Sequence, residues 1–152
     1  MKEINNNISE DYCSFEVSKL LKEKGFDCQC NLAHISGEKY GTTTDLLESG
    51  YGLNVCTNSQ IQENKDEYGW TGYIKDKEIV MKPTHSLTIK WIRENFGMHI
   101  FTDFGLGWEA YIIPVGYQGE AKFDNGSTQI DRHNSPEEAT EAALINVLKY
   151  LI

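Results

Sequence analysis

Long apolar runs are the first thing missing from this 152-residue chain. No stretch approaches the roughly 20 apolar residues that span a bilayer. The opening MKEINNNISEDY also lacks the apolar centre of a secretion signal. These two absences predict a cytoplasmic protein without membrane contact. Its four cysteines are then expected to be reduced; in an oxidising compartment they would admit three pairings. A basic excess is missing too. The chain has 14 Lys and Arg against 23 Asp and Glu, a formal net charge of −9, and an acidic surface repels phosphate backbones. Direct nucleic-acid binding is therefore disfavoured, and solubility is the plain use of the charge. Several catalytic signatures are absent: the phosphate loop, H-E-x-x-H and P-C-x-x-C. Gly105-Leu106-Gly107 lacks the strand-then-helix context of a dinucleotide loop.

What is there reads as one domain over residues 1–152, with order least expected in residues 1–8. The apolar fraction of 39% is low for a globular chain, but 3 Trp, 8 Tyr and 6 Phe supply large buried area per residue. A helix is predicted over Ser14–Gly25, or from near Ser9. Val17, Leu20 and Leu21 share one face, and Gly25 stops it. A second opens at Pro83-Thr84-His85-Ser86, carries Leu87, Trp91, Ile92 and Phe96, and ends at Gly97. A third runs from Pro136 to about Leu151. Ser135 is placed to cap it, and Glu138 to reach back to the cap.

Between these helices, extended chain is predicted over Phe26–Ile35, Leu53–Thr57, Tyr68–Ile74 and Lys77–Met81. Residues 36–52 read as loop. Met98–Thr102 and Trp108–Val115 form the best hairpin candidate, and Tyr117–Ile130 adds a strand or pair broken at Asp124-Asn125-Gly126. Adjacent strands with short connections imply antiparallel pairing. The expected fold is α+β, a mostly antiparallel sheet with three helices packed on one face.

The segments Ser14–Phe26, Pro83–Glu94 and Ser135–Leu144, taken together, resemble uncharacterised short proteins of gut Bacteroidota and their phages. The likeness covers the three helices in order and leaves residues 27–82 unmatched. It implies an origin in a phage or mobile element. It implies no activity, so no site residues transfer.

Cys28, Cys30, His34 and Cys56 are the candidate metal ligands, because zinc takes four thiolate or imidazole ligands in a tetrahedron. C-x-C is tighter than the usual ligand pair, and a second tight pair is missing. Free cysteines also serve as small buried hydrophobes. A Cys–His nucleophile is possible by count alone, with no local motif behind it. The carboxyl pairs Asp103 with Glu109 and Asp124 with Asp131 flank turns, where acids are usually solvated. Large rings in glycine-rich segments are better placed for recognition. Trp70, Tyr73 and Trp108 are the candidate contact residues, although rings like these also fold back to cover a sheet.

The expected function is that of a small noncatalytic interaction protein. It would act through a protein partner or self-association, without cofactor, and one version of it inhibits a host protein. One alternative is an acidic nucleic-acid mimic that occupies a DNA- or RNA-binding protein. The other is a zinc-binding or cysteine-dependent protein built on Cys28, Cys30, His34 and Cys56.

Overall fold

The computed structural model describes residues 3–35, 42–45, 56–67, 78–114, 122–123 and 132–152. It is α+β, with antiparallel strands and helices packed on them. Helix α1 spans Phe15–Glu23. The Ser14 hydroxyl accepts from the Val17 N–H at 3.2 Å and so satisfies one of the free donors of the first turn. At the other end Phe26 N–H donates to Leu21 O and Gly25 N–H to Lys22 O. That bond pair needs a left-handed residue, and Gly25 supplies it at φ 89°. The start near Ser9 does not occur, because residues 9–11 form neither helix nor strand and Tyr12 bridges to Thr84.

Helix α3, His85–Phe96, starts with Thr84 Oγ1 accepting from Leu87 N–H and stops at Gly97, φ 67°. Helix α4, Pro136–Asn146, starts under the Ser135 hydroxyl and widens into a π-helical turn over Val147–Leu151. The Glu138 carboxylate reaches the N–H of Asn134, one residue before the expected cap.

A fourth helix, α2 over Asn58–Glu67, was not expected. Its sequence, NSQIQENKDE, carries one aliphatic residue, Ile61, which is fully buried. Its start is held by a reciprocal box. Thr57 Oγ1 accepts from Gln60 N–H, and Gln60 Oε1 accepts from Thr57 N–H. The Asp27 carboxylate accepts from Ser59 N–H at 2.8 Å, and this bond holds its pKa below the usual range.

The described strands divide into two three-stranded antiparallel sheets. The first contains β1 (Leu32–Ile35), β2 (Thr42–Asp45) and β3 (Ile79–Met81) in the order β2-β1-β3. The second contains β4 (Met98–Phe104), β5 (Trp108–Pro114) and β6 (Lys122–Phe123) in sequence order. The expected strand over Leu53–Thr57 reduces, among the described residues, to a single bridge between Cys56 and Cys30. The expected strand over Tyr68–Ile74 lies outside the described residues, as does most of Tyr117–Ile130.

Helices α1 and α2 pack on β3, and α4 packs on β4 and β5 and against α1. One hydrophobic cluster therefore runs through the fold, from Val17, Leu21 and Met81 to Ile100, Ile112, Ala143 and Leu144. Asn58 ties the turn after α1 to β3. Its amide nitrogen donates to Phe26 O at 2.8 Å, and its oxygen accepts from Met81 N–H at 2.9 Å. Lys82 N–H, one residue on, turns the other way to bond Leu32 O in β1. Met81 N–H thus faces the open edge of β3, and a buried side-chain oxygen closes that edge.

No described helix is long and apolar enough to cross a membrane.

Candidate functional site

Strand alternation sorts the β4–β5 hairpin into two faces. The pairs Ile100↔Ile112 and Thr102↔Ala110 lie on one, where Ile100, Ala110 and Ile112 are buried in the core that α4 covers. The pairs His99↔Ile113, Phe101↔Tyr111 and Asp103↔Glu109 lie on the other. There the rings of Phe101 and Tyr111 stack at 5.1 Å, and His99 stacks on Phe101 at 6.3 Å. Phe123 of β6 sits opposite Tyr111 in register, which extends the row of aromatic positions to a third strand. At the hairpin tip Phe104 is 61% exposed and Leu106 is 81% exposed.

Trp108 stands beside this tip. It is half-buried against the core, its ring tilted on Phe104 at 5.2 Å, and its backbone bridges His133. Trp70 and Tyr73 lie outside the described residues, as do Asp124 and Asp131. Phe101, Phe104, Leu106 and Tyr111 were not singled out as contact residues. The sequence signal for Phe101 and Tyr111 was the alternation within Met98–Pro114, and for Phe104 and Leu106 the glycine-rich ring segment Phe104-Gly105-Leu106-Gly107-Trp108. The acids of the hairpin are not a free pair. Glu109 is buried, and its Oε2 accepts from the Tyr111 hydroxyl at 2.8 Å. That bond keeps the proton on the phenol and raises the Tyr111 pKa above its usual value.

The four sequence-predicted metal ligands do not converge. Cys30 and Cys56 face each other as a backbone bridge, with N···O distances of 2.8 and 2.9 Å in the two directions. Their thiols turn to carbonyls, Cys30 to Cys28 O and Cys56 to Thr57 O. His34, on β1, donates from Nε2 to Cys13 O at 2.9 Å instead. All four cysteines are free thiols. Burial pushes the Cys30 thiol up to about 12 and raises Cys28 and Cys56 as well, so these groups behave as small apolar side chains.

Among the described residues, one group of cysteine, histidine and carboxylate has the proximity of metal ligands: Cys13, His85 and Glu141. It forms where the N-terminal ends of α1 and α3 meet α4. The Tyr12↔Thr84 bridge holds the two helix starts side by side, with Cys13 N–H donating to Pro83 O and His85 N–H to Asp11 O. Glu141 reaches in from α4. Its Oε2 lies 2.7 Å from His85 Nε2, and its Oε1 accepts from Ser14 N–H at 2.8 Å. Burial works against the Glu141 carboxylate, but the hydrogen bonds from His85 and Ser14 outweigh it and leave its pKa below the usual value. Cys13 Sγ lies 3.2 Å from Thr88 Oγ1, and that hydroxyl donates to Thr84 O, so the thiol is the donor.

No protein-family model matches the chain, and no curated protein or solved structure matches it.

Proposed function

We propose that this chain is a noncatalytic protein-binding module whose contact face is the outer side of the β4–β5 hairpin together with its tip. The observation that carries this reading is the row His99, Phe101 and Tyr111 on the outer face, with the exposed Phe104 and Leu106 beside it at the tip; Phe104 pairs with Trp108 and so belongs to the other face of the hairpin. Rigid aromatic rings give large contact area at low entropic cost, and they are enriched among the residues that dominate interface energies. The Tyr111 hydroxyl is already bonded to Glu109, so its ring is held in place before any partner arrives. The resemblance to short phage-associated proteins supplies the setting: a mobile-element protein acting on a host protein.

A nucleic-acid mimic would need a row of carboxylates at phosphate spacing. The outer hairpin face offers rings instead, and one of its two acids, Glu109, is buried and bonded to Tyr111.

The test compares wild type with the double variant Phe104→Ser/Leu106→Ser and the single variant Phe101→Ser. The tip residues are exposed, so the double variant should keep its stability to within about 0.5 kcal/mol. Partner capture from an extract of the source cells should be lost in the double variant and weakened in Phe101→Ser. Identical captured proteins from all three would remove the hairpin face from consideration.

A further inference from the structure

We propose that Cys13, His85 and Glu141 form a binding site for a zinc-class divalent cation at the junction of α1, α3 and α4. Their ligand atoms, one sulfur, one imidazole nitrogen and one carboxylate oxygen, all lie within 4.8 Å of one another. The three come from widely separated points in the chain, and each is pinned by a bond of its own. Cys13 is fixed by its N–H to Pro83 O, and by its carbonyl accepting from His34 Nε2. His85 is fixed by its N–H to Asp11 O, and Glu141 by Ser14 N–H on the second carboxylate oxygen. The Ser14 bond is of the kind that orients a metal ligand, and the other three hold the backbone from which the ligands project.

The donor set selects the ion. A thiolate with an imidazole and one carboxylate suits zinc and its soft neighbours, and it is poor for calcium or magnesium, which take oxygen ligands. His85 also lines a polar cavity with Ser9, Glu10, Asp11 and Ser86. That cavity gives the cation an acidic approach, and it can supply a water as fourth ligand.

Binding exchanges hydrogens for a cation. The Cys13 sulfur releases its proton to solvent and forms the metal–sulfur bond. The proton on His85 Nε2 also leaves for solvent while Nδ1 carries the ring's hydrogen, taken up from solvent where the ring starts neutral, so that a neutral imidazole binds and the metal stands between Nε2 and Glu141 Oε2. The N···O separation must then open from 2.7 Å to about 3.4 Å for tetrahedral bonds of zinc length. Swings of the two side-chain ends accomplish that.

A nucleophilic role for the same trio does not fit. Cys13 is 0% exposed, so no substrate reaches its sulfur. Burial also pushes the thiol up to about 12, which keeps it protonated in the absence of a metal.

The experiment uses the full chain, refolded with cobalt(II) as a spectroscopic stand-in for zinc. The expected result is one cobalt per chain, a thiolate-to-cobalt charge-transfer band and displacement by zinc. Cys13→Ser should abolish the band. Glu141→Gln should keep it and weaken binding at least tenfold. The triple variant Cys28→Ala/Cys30→Ala/Cys56→Ala, whose one remaining thiol is Cys13, should keep the band; each of the three changes is also made singly in case the triple does not fold. A folded wild type without the band overturns the proposal. So does a band that survives Cys13→Ser or is lost on removing the other thiols.

Discussion

Replacing Asn58 by alanine should destabilise the fold far more than its place in a polar helix suggests. The side chain is buried and uses both ends of its amide, donating to Phe26 O and accepting from Met81 N–H. Alanine leaves a carbonyl and an edge-strand N–H without partners. Each such buried orphan costs about 1–3 kcal/mol, so a loss of about 2–4 kcal/mol is expected once partial access of water is allowed for. With a urea m-value of about 2 kcal/mol/M for a chain of this size, the denaturation midpoint falls by about 1–2 M at constant slope. Asn58→Asp is the sharper control. An ionised carboxylate still accepts from Met81 N–H, but it faces Phe26 O with no hydrogen to give. The variant should therefore be weak at neutral pH and recover as pH falls, since a protonated acid donates again. Equilibrium urea titration by far-ultraviolet circular dichroism reads both. A loss below about 0.5 kcal/mol for Asn58→Ala, on the scale of an ordinary surface change, would refute the idea that this side chain closes the β3 edge and anchors α2.

Two further outcomes follow from the packing and the hairpin. Leu144→Ala opens a hole in fully buried surroundings beneath β4 and β5 and should cost about 2–5 kcal/mol in the same assay; a change below 1 kcal/mol would place α4 off the sheet. The phenol of Tyr111 is held protonated by Glu109, so its ultraviolet titration should lie above the usual value of 10.0, and Glu109→Gln should bring it down. A folded-state pKa raised in this way contributes stability that is complete below the unfolded value and is lost as pH rises through the folded value. The stability gap between wild type and Tyr111→Phe should accordingly close only at strongly alkaline pH.

Three helix starts were legible because their chemistry is local: Ser14, Thr84 and Ser135 each accept from the N–H three residues on. Gly25 and Gly97 marked two ends for the same reason. Helix α2 escaped because its periodicity is nearly empty, with Ile61 its one aliphatic residue; the readable clue was Thr57-Asn58-Ser59-Gln60, a capping box. The division into two sheets was out of reach, since it depends on β1 pairing with β3 across more than 40 residues. The same holds for Cys13, His85 and Glu141. Each looked like an ordinary helix-flanking residue, and what makes them a group is the Tyr12↔Thr84 bridge, a purely tertiary contact. Cys28, Cys30, His34 and Cys56 looked closer in sequence than they are in space, because β1 turns His34 toward Cys13.

Helix α1 is gripped by the far end of the chain. Lys149 pairs with Glu16 at 2.7 Å, Lys24 Nζ donates to Ile152 O at 2.6 Å, and Ser14 N–H donates to Glu141. On the ribosome this arrangement sets a schedule. The β4–β5 hairpin can close within seven residues of its turn, but the face of α1 that meets α4 has no α4 to meet until Pro136–Asn146 has been made. At typical rates of about 5–20 residues per second, that is roughly 6–25 s after α1 itself is made. During that interval Val17 and Leu21 lack part of their eventual cover. The face of α1 that meets α4 is thus covered later than the faces of the β4–β5 hairpin meet each other.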